Sequence, residues 1–333
     1  MKDPGIYRRS HLHASGFDDK TIDRMIAAGD LTRLRSGWLA AKNHDLTAAA
    51  AVSDGGVLTC VDALRFHELW VPVGRRKLHL RRSRSLSGKH PACRPMKSGT
   101  IRQRLTVATK PVDSVPSALL CATGCLNREE WIAVCDSYMN SHGLGVEDLR
   151  AELGSVGPTV TDWLYLTDPR SQSGTESISR VRLRSEGFDV VVQPQIKGVG
   201  RADLRIGLLI IECDSMQYHA TKEAYERDHK RDRKALVNGW LTMRLTYDDI
   251  LFGWEEVLAD IRNITNRDRH RPRTPRKREL VEKSVRYSAS EGKNSPRRAD
   301  NQQKILASTP IRSPRGSPGL GRHTFRACFD RCQ

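Results

Sequence analysis

Asp203, Glu212 and Asp214 are the side chains whose types and spacing could do chemistry. Glu212 and Asp214 follow the apolar run Leu208–Ile211, which is long enough for a buried strand and too short for a helix. Side chains two apart on a strand share a face, so both carboxylates are expected to leave the strand's end on one side. Asp203 is placed to reach them from a preceding antiparallel strand across a turn at Ile206-Gly207. Carboxylates gathered in this way repel one another unless a proton or cation sits among them, and hard oxygen ligands are what Mg²⁺ prefers. The plainer alternative is a strand end whose acids are simply solvated. His219 comes shortly after, followed by a basic helical segment, Lys222 to Val237, that carries Arg227, Lys230, Arg231 and Arg233. Gly239 to Thr246 then reads as a further strand.

These residues need elements to hold them. Upstream, residues 167–175 are rich in turn formers and read as a hinge, after which Ser173 or Thr175 can cap a helix that stops at Gly187. Glu176 lies in the first turn of that helix, where the helix dipole alone favours an acid; facing a metal would be a second reason for it.

The order of these residues resembles the Vsr-like (very-short-patch-repair endonuclease-like) branch of the PD-(D/E)XK nucleases over residues 170–263. The resemblance rests on Glu176 in a helix, Gln193 on a strand, Asp203, Glu212-Cys213-Asp214 and Tyr218-His219, then Arg227-Asp228, Arg231-Asp232, Gly239-Trp240 and Arg244-Leu245. It implies an α/β, restriction-endonuclease-like mixed sheet flanked by helices, with Mg²⁺ (or Mn²⁺) held by Asp203 and Glu212. Asp214 would be a ligand or an outer acceptor, and His219 would position or activate water. Asp214 stands where the (D/E)XK pattern has lysine; Vsr-like members often carry an acid there and a histidine shortly after. The general base is left unassigned.

The N-terminal region, 1–45, carries a different pattern. Ile22, Met25 and Ile26 stand at helical spacing in a segment that Asp18 or Asp19 can cap and Gly29 can end. A shorter helix around Ser10–Phe17 precedes it, and Leu31–Leu39 brackets a strand, turn and strand. Helix, turn, helix and basic hairpin is the layout of a winged helix-turn-helix, with Arg33 and Arg35 at phosphates. The stretch resembles the N-terminal domain of AbiEi-type antitoxins; the alternative is a small helical domain that contacts protein. Residues 46–166 read as a helical connector. Helices are predicted near 48–52, 61–69, 117–125, 128–138 and 146–153, with a strand at Lys77–Leu80. The Arg81, Arg82 and Arg84 run reads as a solvated face, with a phosphate-binding loop as the other possibility.

Charge is unevenly spread over the 333 residues and the net +17. Residues 1–110 carry 21 basic against 9 acidic side chains, residues 111–263 carry 17 against 24, and residues 264–333 carry 18 against 6. Basic ends attract phosphate and an acidic centre attracts a cation, which together suit an enzyme acting on nucleic acid. Arg33, Arg35, Arg227 and Arg231 are the expected DNA contacts. Residues 267–333 lack any sustained apolar period and read as a disordered basic tail. The eight cysteines include no CxxC pair, so no zinc framework is expected and the thiols are expected to be reduced. His67, His79 and His142 stand isolated and are read as structural. With no apolar stretch of about 18 residues and no apolar signal region, the protein is expected to be soluble and cytoplasmic, without a membrane partner. Two functions follow: a metal-dependent DNA endonuclease, or a catalytically silent DNA-binding regulator resembling an antitoxin. A toxin or repair partner would be of unknown identity.

Overall fold

The computed structural model describes residues 2–74, 77–82, 88–96, 109–214, 222–266 and 270–271, with the side chains of 222–228 outside that description. The chain begins with β1 (Ile6–Arg8), α1 (Arg9–Ala14), α2 (Asp19–Ala27), β2 (Leu31–Arg35) and β3 (Trp38–Ala41). Asp18 caps α2, its carboxylate accepting the Thr21 N–H at 2.8 Å, as the sequence pattern anticipates. The hairpin reverses at Gly37, whose φ of +74° suits a residue without a Cβ. β1 was not anticipated; it pairs with β3 to give an antiparallel sheet of order β1-β3-β2. Leu12, Ile22, Leu31 and Leu39 form a small core between helices and sheet.

The middle of the chain is mostly helical. α3 (Leu46–Ser53), β4 (Val57–Leu58), α4 (Cys60–Phe66) and β5 (Leu80–Arg81) come first, and β4 pairs antiparallel with β5. α5 (Val115–Ala122), α6 (Arg128–His142), α7 (Val146–Leu153) and α8 (Pro158–Leu164) follow. β5 starts later than the predicted strand at Lys77, and α8, set off by Gly157 and Pro158, was missed. The core of this region includes Leu64, Leu119, Trp131, Met139, Leu149 and Leu164, and it also takes in Ile6 and Trp38 from the N-terminal sheet. The arginine run is bound up in ion pairs where it is described: Arg81 with Asp113 and Arg82 with Asp54. Arg84 lies outside the described residues.

The third region begins with a turn, not a loose hinge. Thr167, Asp168 and Ser171 are buried, and the Asp168 N–H donates to Asp136 Oδ1 at 2.7 Å. Ser173 then caps α9 (Gly174–Ser185) through its hydroxyl, which accepts the Glu176 N–H. α9 packs on α6 so tightly that Arg180 is 1% exposed; its guanidinium meets the fully buried Asp136 at 2.7 Å and donates to the Leu166 carbonyl. A Cβ on Gly174 would fall inside the indole of Trp70, which explains the glycine. Trp70 itself packs against both the middle core and the core under the next sheet.

β6 (Val191–Val192), β7 (Gln195–Ile196), β8 (Gly200–Arg201), β9 (Leu204–Ile206), β10 (Leu209–Cys213) and β11 (Leu241–Leu245) complete the strands. The larger sheet has the order β11-β10-β9-β6; β6, β9 and β10 are antiparallel, and β11 lies parallel to β10. A parallel neighbour requires a crossover, which α10 (Lys222–Val237) supplies. α11 (Tyr247–Leu251) and α12 (Trp254–Asn266) close the region. Alternation along β10 separates the faces: Leu209, Ile211 and Cys213 pack with Ile178 of α9 and with Ile250 and Ile261 of α11 and α12. Ile210 packs with Ile196, Ala202 and Ala235 of α10. The fold is thus α/β, a mixed sheet with helices on both faces. The predicted tail at 267–333 lies outside the described residues, His270 and Arg271 apart. No described helix is long and apolar enough to cross a membrane.

Candidate active site

The β9–β10 hairpin and α9 bring three acids together. Leu204 stands opposite Ile211, so Asp203, one step before β9, falls beside the end of β10. There its Oδ2 accepts the Cys213 N–H at 2.8 Å, while its own N–H points at Glu212 Oε2 at 3.4 Å. Glu212 does not leave the strand's end as expected: it is a residue of β10, 8% exposed, because the strand continues to Cys213 alongside β11. The side-chain amide of Gln193, which follows β6 at a φ of +50°, joins the third acid. Its Nε2 donates to Glu176 Oε2 at 2.7 Å and lies 3.4 Å from Asp203 Oδ1. Glu176, 4% exposed, also accepts the Gln172 N–H.

Burial decides the electrostatics of this group. Glu176 is pushed up to about 7, first by loss of water and then by the negative charge of Asp203. Glu212 is also pushed up to about 7, by burial and then by Asp203, with Arg231 pulling the other way. Asp203 is raised by burial, against the hydrogen bonds from Cys213 and Gln193. The Arg231 guanidinium reaches from α10 to Glu212 Oε1 at 2.6 Å and also to the Arg201 carbonyl. It serves as the countercharge of the cluster.

The other predicted site residues are placed as follows. Asp214 lies just beyond β10, where its carboxylate is partly exposed and pairs with Arg244 at 3.5 Å rather than with the other acids. His219 lies outside the described residues, as does the side chain of Arg227 on α10. Arg33 is exposed on β2, an edge strand, with Arg35 further along beyond a register shift. A groove lined by Arg128, Arg182, Phe252 and Trp254 shares no residue with the acids.

Since both glutamate pKa values exceed their ordinary 4.5, ionisation costs the folded state. The unfolded chain releases these protons near pH 4.5 and the folded chain only near 7, so stability is lost as pH rises between them and the loss persists above. Glu176→Gln, whose amide oxygen can still accept from Gln172 and Gln193, is therefore expected to match the wild-type protein at pH 4. At pH 8 it should exceed the wild type by up to about 3 kcal/mol. Urea unfolding at the two pH values measures this, and a constant difference between them would contradict it.

A second constellation corrects the sequence analysis. Cys60, His79, Cys93 and Cys125 offer one ligand atom each, all within 4.8 Å of one another, and could hold a metal ion. Among the described residues this is the group of three or more such side chains drawn so close. His79 is therefore not isolated, whereas His67 and His142 remain structural, bonding to the carbonyls of Asp113 and Tyr138. Spacing along the chain could not reveal the group, because α4, the segment before β5, the 88–96 loop and the segment after α5 each supply one member.

No protein-family model matches the chain, and no curated protein matches it either.

Proposed function

We propose that this chain is a metal-dependent endonuclease acting on DNA, with a restriction-endonuclease-like core of the Vsr-like kind and a winged helix-turn-helix-like DNA-contacting N-terminus. The observation that carries the reading is the placing of half-buried Asp203 between two buried acids, Glu176 of α9, reached through Gln193, and Glu212 of β10. Acids held this close repel when ionised, a bound cation would relieve that repulsion, and their all-oxygen donors suit a hard divalent ion. Asp203 and Glu212 would hold Mg²⁺ (or Mn²⁺), with Asp214, paired to Arg244, as an outer acceptor. The bound ion would polarise the scissile phosphate and lower the pKa of the attacking water. Gln193 orients Glu176 toward Asp203, where it would exchange a proton with the attacking water. His219 keeps its proposed part in positioning water.

A second reading, a DNA-binding regulator, is favoured by one contact. Arg231 already neutralises Glu212, so the cluster can persist with no cation. Cleavage of plasmid, single-stranded and mismatched DNA with Mg²⁺ and with Mn²⁺ tests the endonuclease. Duplex binding without cleavage, and without heat on titrating either ion, would leave the regulator.

Both readings share the N-terminal contact. Arg33→Ala with Arg35→Ala is expected to weaken duplex binding equally across sequences and to lower the slope of log affinity against log salt by about two. Fluorescence anisotropy at several salt concentrations measures it, and an unchanged slope would remove β2 from the interface.

A further inference from the structure

We propose that Cys60, His79, Cys93 and Cys125 form a structural zinc site. This site is independent of the acidic one: it shares no residue with it and uses soft donors instead of carboxylates. Zinc bonds of about 2.3 Å to sulfur and 2.0 Å to nitrogen, at tetrahedral angles, set sulfur and nitrogen about 3.5 Å apart and two sulfurs about 3.8 Å apart. Here Cys93 Sγ and His79 Nδ1 are separated by 3.3 Å, and all four ligand atoms fit within 4.8 Å. An iron–sulfur cluster lies between its ligands and spreads them over more than one iron, so these separations favour a single ion. Three thiolates and one imidazole complete four-coordination and leave no open position, which is the character of a structural site and not a catalytic one.

The backbone around the group is built to hold it. Cys60 begins α4 at a φ of +53°, a region that residues with a Cβ seldom occupy, and its side chain is fully buried. The Thr59 N–H bonds the His79 carbonyl, the His79 N–H bonds buried Asp62, and the Cys93 N–H bonds the Leu80 carbonyl. These bonds fix three of the four segments against one another before any metal arrives. Cys125 follows the end of α5 and brings its thiol within 4.8 Å of the other three ligand atoms. Cys121, one turn earlier, is buried and pushed up to about 12, and it is not a member of the group. The metal would tie together four segments whose strands, β4 and β5, are only two residues each.

Metal analysis of the full-length chain, purified under reducing conditions, tests this. About one zinc per chain is expected in the wild type and in Cys121→Ser, with at least a tenfold loss in Cys93→Ser. Should Cys93→Ser fail to fold, Co²⁺ exchanged into the wild-type chain decides: intense tetrahedral bands with thiolate charge transfer support the site. Weak octahedral bands alone, which the carboxylate site would give and Glu212→Gln would remove, overturn it. Absence of zinc from the wild type after dialysis against Zn²⁺, or full retention in a folded Cys93→Ser, overturns it as well.

Discussion

Asp203→Asn and Glu212→Gln are each expected to reduce Mg²⁺-dependent DNA cleavage at least about 100-fold while leaving duplex binding within about twofold. Both substitutions keep the shape of the side chain and remove one negative charge. In Asp203→Asn the amide oxygen could still accept the Cys213 N–H, so the hairpin should persist, and the loss would report on charge and not on folding. Arg231 makes Glu212→Gln the sharper test. Its guanidinium loses an ionic partner at Oε1, so the variant removes the proposed ligand and leaves the countercharge in place. Single-turnover cleavage with saturating enzyme separates chemistry from binding. If either variant cuts at the wild-type rate, the acidic cluster is not the catalytic site.

The second large effect concerns stability. Arg180→Met is expected to cost about 3–5 kcal/mol and to lower the melting temperature by about 10 °C, because it strands the Asp136 carboxylate in a fully buried site. Burial already pushes Asp136 up to about 6 against the pull of Arg180, and without the arginine it must rise further. A raised carboxyl costs stability as pH climbs from its ordinary 3.8 through the folded value, so the deficit of the variant should be large at pH 7 and shrink at pH 4. Asp136→Asn keeps an acceptor for the Asp168 N–H, and in that background Arg180→Met should cost at least about 2 kcal/mol less. Thermal melts of the four proteins of this cycle at both pH values supply the comparison. Additive losses would mean that the pair is not coupled.

Much of the acidic site is legible in the residues alone. The turn at Gly207 and the apolar run after it announce a hairpin, and a hairpin brings Asp203 to Glu212 by register alone. Ser173 announces the start of α9 and with it the place of Glu176. The position of Glu212 was misread because an apolar run marks where a strand is buried on both faces, not where its pairing stops. β11 continues to pair through Leu245, and a partner strand more than twenty residues away leaves no mark at Cys213. The Asp136–Arg180 pair was invisible for the same reason: nothing local distinguishes an arginine on a helix that will be buried from one that will be solvated. The cysteine and histidine group shows the limit most plainly. Its four members come from segments that only tertiary packing brings together, and Cys121, four residues before Cys125, is not among them.

The packing of Trp70 against Gly174 also bears on motion. An indole filling the space where a Cβ would sit acts as a mechanical stop at the first turn of α9, and the backbone N–H of Trp70 is pinned to the Ser137 hydroxyl of α6. The first turn cannot slide toward the middle core, so Glu176, two residues on, inherits the stiffness of α6. The ring thereby becomes a natural optical gauge: a Trp70→Phe difference spectrum, which sets aside the other five tryptophans, should register any event at the acids that shifts the start of α9.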